Sequence, residues 1–355
     1  MPMIKVLVVD DSALMRKLLP RILEGSNIQV VGTAMDGEFA LKKIAELRPD
    51  VITLDLEMPR MDGMVTLREI VKRHSLPVIV VSAHTQAGAM ATFKALNMGA
   101  FDFVAKPRDA LSEQIGEIAT ELINKIRAAA GSRRIAPCGE LSLLPQPVRK
   151  RKIPAQPPAR RVVALGTSTG GPYALQHVLS QLPAEFPAAI VVVQHMAEGF
   201  TKMFAERLDA ESELEVREAQ SGDMLLAGRV LICPGNKHMS VRRMPLGPVA
   251  VLTTQAPVNG LRPSVDVLFE SVAEEFGPSA VAVLMTGMGA DGAEGMGKIK
   301  ACGGMTFAQN EETCAVYGMP RAAIERGYAC EVLPLEEIPA ALQARFTSAS
   351  DTASG

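Results

Sequence analysis

Two stretches of this chain alternate short apolar runs with longer amphipathic ones, and a proline-rich basic stretch lies between them. The first contains KVLVV, IQVVGTA, DVITL, PVIVVS and FDFVA. Between these runs, segments such as 12–24 and 37–47 repeat apolar residues at helical spacing. Short apolar runs alternating with helices predict a parallel sheet covered on both faces. The second stretch repeats the pattern with RVVALG, AAIVVVQ, RVLICP, VAVLT and SAVAVLMTG. The expected fold is therefore α/β, two doubly wound parallel-sheet domains in series. Pro20 falls inside the first helical pattern, which predicts a kink or an early stop there.

A length of 355 residues suits two domains, and charge shows where they divide. The 37 basic and 39 acidic residues nearly cancel, but residues 1–128 are net 0, residues 129–161 net +7 and residues 162–355 net −9. The middle stretch also holds Pro137, Pro145, Pro147, Pro154, Pro157 and Pro158. Proline removes backbone donors and fixes φ, so an extended linker is expected. RKRK could be read as a nucleic-acid patch; a solvated linker beside an acidic domain accounts for it without a partner. The expected division is 1–128 first domain, 129–159 linker, 160–345 second domain and 346–355 frayed tail. The charge balance speaks against a nucleic-acid partner, and no apolar run is long enough to insert in a membrane. Asp10 and Asp11 come too early for a signal peptide. Cys138, Cys233, Cys302, Cys314 and Cys330 are few, odd in number and without CxxC spacing. Reduced thiols and a cytoplasmic location follow.

In open α/β sheets, ligands bind beyond the carboxyl ends of the strands. In the first domain those ends carry Asp10 and Asp11 after KVLVV, Asp55 after DVITL, Ser82 after PVIVV and Lys106 after FDFVA. Two carboxylates about 4 Å apart repel by roughly 4 kcal/mol at an effective dielectric near 20. Such a cluster calls for a cation, and hard oxygens with open positions suit a magnesium that keeps several waters. Lys106 adds a point charge that can hold an anion. Singly, Asp10 could cap a helix and Lys106 could be a solvated loop lysine.

Asp10-Asp11, Asp55 in DLEMPRMDG, Ser82 in VVSA and Lys106-Pro107 together resemble the flavodoxin-like receiver domain of bacterial two-component response regulators, over about residues 3–125. The resemblance implies that Asp55 takes a phosphoryl group from a histidine kinase. It implies Mg2+ on Asp10, Asp11, Asp55 and the Glu57 carbonyl, phosphate contacts from Ser82 and Lys106, and Phe101 as aromatic switch. It also implies a cis Lys106–Pro107 bond.

The second domain opens with a strand ending in Gly166-Thr167-Ser168-Thr169-Gly170-Gly171. A serine on a glycine-flanked strand-to-helix turn suits a nucleophile, and such a turn equally suits a phosphate loop. The run AAIVVVQ ends in His195, and SAVAVLMTG leads to Asp291 in Met288-Gly289-Ala290-Asp291-Gly292. Serine, histidine and aspartate at three strand ends form the set a serine hydrolase requires: nucleophile, base, and a carboxylate that fixes the imidazole. The order differs from the Ser-Asp-His of α/β-hydrolases. His238 after RVLICPGNK is a rival base, and His177 lies in a helical pattern. Asp266 and Asp209 are rival acids in helical or charged segments, whereas Asp291 is ringed by glycines after a strand.

GTSTGGPYAL, QHMAEGFTKMFAERLD, RPSVDVLF, VLMTGMGADGAEGM and VYGMPRAAIERG resemble, in order over about residues 160–340, the catalytic domain of the protein-glutamate methylesterases of bacterial chemotaxis. The resemblance implies Ser168, His195 and Asp291 as catalytic residues, with the Met288 N–H as an oxyanion donor. It implies hydrolysis of glutamyl methyl esters on methyl-accepting chemotaxis receptors, releasing methanol, with glutamine deamidation beside it. No cofactor is implied for the esterase reaction. Occlusion of the esterase site by the unphosphorylated receiver is the implied control. Thr167 stands where the family commonly has alanine, and Ala197 where it has proline.

Overall fold

The computed structural model describes residues 3–83, 85–106, 115–131 and 156–347. It divides into two compact units near residue 144.

The first unit runs β1 (Ile4–Val9), α1 (Ala13–Leu23), β2 (Ile28–Ala34), α2 (Gly37–Leu47), β3 (Val51–Asp55), α3 (Gly63–His74), β4 (Val78–Ser82), α4 (Gln86–Asn97), β5 (Asp102–Ala105) and α5 (Ile115–Gly131). Its five strands are parallel in the order β2-β1-β3-β4-β5. That order reverses direction between β1 and β3, so the loops after these two strands open a crevice at the sheet's carboxyl edge. The helices start on side-chain caps: Ser12, Asp36, Asp62 and Thr85 accept from Met15, Phe39, Val65 and Gly88 amides. Pro20 does not end α1, which continues to Leu23. Met15, Leu19 and Leu23 are buried along one face of α1 in the core with Val6, Val8 and Ile126. That burial outweighs an interior proline's cost of roughly 3 kcal/mol.

The second unit runs β6 (Val162–Thr167), α6 (Gly171–Leu179), β7 (Ala189–Gln194), α7 (Phe200–Glu211), β8 (Glu215–Glu218), β9 (Arg229–Ile232), β10 (His238–Met244), β11 (Gly247–Thr253), α8 (Val265–Phe276), β12 (Ala280–Leu284), α9 (Ala293–Ala301), β13 (Met305–Gln309), α10 (Met319–Glu325), β14 (Glu331–Leu333) and α11 (Ile338–Thr347). Seven parallel strands lie in the order β14-β13-β12-β6-β7-β9-β8. The chain leaves β6 toward β7 and later returns on its other side as β12, so the crevice opens between β6 and β12. The run VAVLT lies outside this sheet: it is part of β11, paired antiparallel to β10 across a two-residue turn. A connection that short closes a hairpin and cannot cross over to a parallel strand.

The expected domain limits shift at both ends of the second unit. Ala159 is buried in its core and bonds Leu225 O through its amide, so packing begins inside the segment read as linker. Ala129, at the other end of that segment, is buried against β1 and α1. Phe346 stands edge-on to Phe186 at 5.3 Å, with the Arg161 guanidinium 5.4 Å from its ring. Helix α11 thus takes in residues 346 and 347, which the sequence reading gave to the tail. Most of the proline-rich segment, the last residues 348–355, and Pro107 with its expected cis bond lie outside the described residues. Among those described, no helix is long and apolar enough to cross a membrane.

Candidate functional site

At the carboxyl edge of the first sheet, Asp10, Asp11 and Asp55 bring carboxylate oxygens within 4.8 Å of one another. Lys106 Nζ stands 2.6 Å from Asp55 Oδ2 and 3.3 Å from Asp10 Oδ2. Burial, reinforced by Asp55 and opposed by Lys106, raises the Asp10 carboxyl above its ordinary range. Burial alone would lower Lys106, but its bond to Asp55 and the Asp10 charge leave it raised. One ammonium thus stands among three carboxylates, and Asp10 Oδ2 is buried with no hydrogen-bond partner. These carboxylate oxygens could hold a hard divalent cation. Glu57, two residues past Asp55, is exposed and donates its amide to Asp55 Oδ1 at 3.2 Å.

Ser82 ends β4, and its hydroxyl donates to Gly88 O in the first turn of α4. Phe101 is not brought to this edge. It precedes β5 and packs on the core between the sheet and α1 and α5, five residues or about 16 Å of strand from Lys106. Phe103 is the aromatic nearer the cluster. It is buried within β5 and stands edge-on to Phe93 of α4 at 6.3 Å. The sequence signal for it was the position inside the apolar run rather than at its start.

In the second unit, Ser168 follows β6 directly, and the turn into α6 is made by Gly170 in the left-handed region, φ 78°. A side chain at Gly171 would overlap Gln194 Oε1, so a glycine is required for α6 to start this close to β7. Gln194 ends β7, buried. Its Nε2 donates to Ser168 O at 2.9 Å and to His195 O at 3.0 Å, and its Oε1 accepts from Thr167 Oγ1 at 2.7 Å. His195 donates its backbone amide to Thr167 O. The ends of β6 and β7 are thereby locked side by side, with the serine and the histidine at the same level.

His195 Nε2 lies 2.8 Å from Asp291 Oδ2. With the proton on Nε2 donated to Asp291, the lone pair on Nδ1 is left for an incoming proton. Ser168 Oγ makes no hydrogen bond in the described structure, as is common for a nucleophile before substrate binds. Asp291 Oδ1 accepts from Ser264 Oγ at 2.7 Å and Asp266 N at 3.2 Å, and Oδ2 accepts from Val265 N at 2.6 Å. Burial opposes ionisation of Asp291, but His195 and these donors outweigh it and hold the carboxyl below its ordinary range. Its negative charge sits at the positive end of α8.

The rivals are placed elsewhere. His238 is buried, with Nε2 toward Ala256 O at 3.2 Å and Nδ1 accepting from Ser264 N at 3.2 Å, so both nitrogens are occupied. His177 lies on α6 beside Gln181. Asp209 accepts from Val216 N, and Asp266 lies in the first turn of α8. Met288 sits in the loop after β12. The adjoining Gly287 is pressed against Ser168: a side chain there would overlap Met319 and approach Ser168 Cβ. Gln194 and Ser264 are site residues that sequence reading did not single out, and Thr167, noted there only as a departure from the family, braces the nucleophile turn through Gln194.

Comparison with known proteins agrees with this geometry. Residues 163–342 match the CheB methylesterase family, and residues 6–115 match the response regulator receiver domain. A protein-glutamate methylesterase/protein-glutamine glutaminase of Koribacter versatilis is 56% identical over 95% of this chain and 94% of that protein. One from Pyrococcus horikoshii is 46% identical over 95% of this chain and 92% of its own length. The crystal structure of the Thermotoga maritima CheB methylesterase catalytic domain covers 52% of this chain and 98% of that one, at 44% identity and a TM-score of 0.51. With a relative matched over 95% of its length and the family matched over residues 163–342, the chain belongs to the CheB methylesterase family.

Proposed function

We propose that the chain hydrolyses glutamyl methyl esters on methyl-accepting chemotaxis receptors and deamidates receptor glutamines, under control of phosphorylation at Asp55. The observation that carries the esterase reading is the 2.8 Å His195–Asp291 bond beside a serine whose strand end is locked to that of the histidine. Ser168 Oγ attacks the ester carbonyl, and its proton passes to His195 Nδ1. Asp291 fixes the tautomer and stabilises the imidazolium. The Met288 N–H, in the residue after the Gly287 that packs against Ser168, is the donor this reading assigns to the developing oxyanion. Collapse of the tetrahedral adduct breaks the C–O bond, and His195 returns the proton to the departing methoxide as methanol. Water, deprotonated by His195, then cleaves the acyl-serine and restores the hydroxyl. With a glutamine side chain the same steps release ammonia. None of these steps uses a cofactor.

In the receiver, Asp55 is the phosphoacceptor and a histidine kinase the donor. Mg2+ would fit on Asp10, Asp11, Asp55 and the Glu57 carbonyl; buried Asp10 Oδ2, which has an ion pair to Lys106 at 3.3 Å but no hydrogen bond, supports this. When bound, it neutralises charge on the phosphoryl oxygens. Lys106 pairs with the same charge, and Ser82, tied to α4 through Gly88 O, is free to re-form its bond with a phosphoryl oxygen. The aromatic switch role implied for Phe101 suits Phe103 better, because that ring meets α4 through Phe93.

Methanol release from methylated receptor membranes tests the proposal. Ser168→Ala, His195→Ala and Asp291→Asn each lower turnover by several orders of magnitude, with losses that do not add because the three act as a unit. A regulator whose second domain only binds a partner would keep its function after Ser168→Ala, and near-normal turnover after His195→Ala would return the base role to His238.

A further inference from the structure

The carboxylate behind His195 is held by an exchange of caps between two helices. Asp291 precedes α9, yet it gives its oxygens to α8, accepting from Val265 N and Asp266 N. Ser264, at the N-cap of α8, makes no side-chain cap to its own helix; its hydroxyl is spent on Asp291. Asp266, the second residue of α8, returns the exchange by accepting from Gly295 N in α9 at 2.7 Å. The two helices approach closely here, since a side chain at Gly295 would press on Phe269 Cβ and the Asp266 backbone.

Two carboxylates are thereby buried together, Asp291 5% and Asp266 8% exposed. They are unequally supplied. Asp291 has four donors for its four acceptor sites: Ser264 Oγ, Val265 N, Asp266 N and His195 Nε2. Burial above all, and then the Asp291 charge, push the Asp266 carboxyl up to about 6, against the Gly295 amide. The other charges facing it are Glu270 one turn along α8 and Lys298 of α9, and these two pair with each other at 2.7 Å. As pH falls, Asp266 therefore takes a proton before Asp291 does.

We propose that Asp266 is a positioning residue of the esterase site. It ties the start of α9 to α8 so that Asp291 faces His195, and it places a second, titratable carboxyl beside that of Asp291. Above about pH 6 its charge favours transfer of the Ser168 proton to His195; below it, Asp291 acts alone. This rests on the esterase reading above.

Asp266→Asn keeps an oxygen for the Gly295 amide but is neutral at every pH, whereas Asp266→Ala removes the cap as well. In the full-length chain, D266N is expected to lower kcat about threefold on the alkaline plateau at unchanged KM. The change in kcat that follows the titration of Asp266 itself, near pH 6 in the parent, should be absent from the D266N profile. D266A loses rate at all pH values and melts earlier. Two readouts stand apart from turnover. The 13C resonance of the Asp266 carboxyl should titrate near pH 6 in the parent. The downfield proton of the His195 Nε2–H bond should persist in D266N and weaken in D266A. If parent turnover is absent while both resonances behave as stated, the esterase reading fails and the positioning role stands. A D266N pH–rate profile superimposable on the parent's, or an Asp266 carboxyl titrating at the ordinary aspartate value, overturns the proposal.

Discussion

Thr167 puts a hydroxyl where the chain has no room for a loose one. It is fully buried under the nucleophile turn, and its hydroxyl donates to Gln194 Oε1. Gln194 then spends both Nε2 protons on the Ser168 and His195 carbonyls. Thr167→Ala leaves a buried acceptor unsatisfied, at a cost of about 1–3 kcal/mol. The expected result is a lower melting temperature and a severalfold fall in kcat with KM little changed; Gln194→Ala should exceed it on both counts. A Thr167→Ala chain as stable and fast as the parent would mean that the strut positions nothing. At this scale the strand-end residues Ser168, His195 and Asp291 were legible, because a polar residue ending an apolar run marks a sheet's carboxyl edge. The choice between His195 and His238 was not, since both follow apolar runs. What separates them is burial and the Ser264 amide on His238 Nδ1, a partner 26 residues away in sequence. Phe101 and Phe103 could not be told apart for a related reason: two aromatics two residues apart look alike until the strand's limits are known.

Among elements, the receiver's strand ends carry a carboxylate repulsion that a bound cation would relieve. Asp10 has its carboxyl raised by burial and by Asp55 despite Lys106. A carboxyl raised on folding contributes stability that is present below its unfolded value and is lost as pH rises through the folded one. At pH 7 to 8 the ionised Asp10 therefore destabilises the metal-free fold. Asp10→Asn should raise the melting temperature in metal-free buffer and abolish the further rise that Mg2+ gives the parent. Because Asp10 must lose its proton to ligate, Mg2+ affinity should begin to fall at a higher pH than an ordinary aspartate would dictate. Calorimetric titration at stepped pH reads that onset directly, and an onset at the ordinary aspartate value would contradict it. Most elements were readable from apolar runs and helical spacing. The β10–β11 hairpin was not, since VAVLT has a core strand's composition and only its short connection to β10 makes it antiparallel. The cap exchange between α8 and α9 was also hidden, because Asp291 bonds a helix that begins 26 residues earlier.

For the molecule as a whole, charge and proline content mark a segment between the two sheets, but they carry no signal for where packing resumes inside it. Ala159 and Phe346 are small or isolated apolar residues at segment ends, and only their neighbours Leu225 and Phe186 reveal them as core. The division has a functional consequence. A receiver that accepts a phosphoryl group gains close to two negative charges at Asp55, beside Lys106 and the α4 start to which Ser82 is bonded. For that event to govern the esterase, the receiver must favour an inactive state before phosphorylation and release it afterwards. A tenfold activation requires only about 1.4 kcal/mol of difference between the two states, which one re-packed helix face can supply. Residues 156–355 alone should then turn over methyl ester faster than the unphosphorylated full chain and ignore a small-molecule phosphodonor. Full-length Asp55→Asn should stay at the unphosphorylated rate with or without the donor. The assay compares methanol release by the three proteins at equal concentration. A fragment slower than the unphosphorylated whole would mean that the receiver chiefly activates, and a donor response in Asp55→Asn would move the acceptor to Asp10 or Asp11.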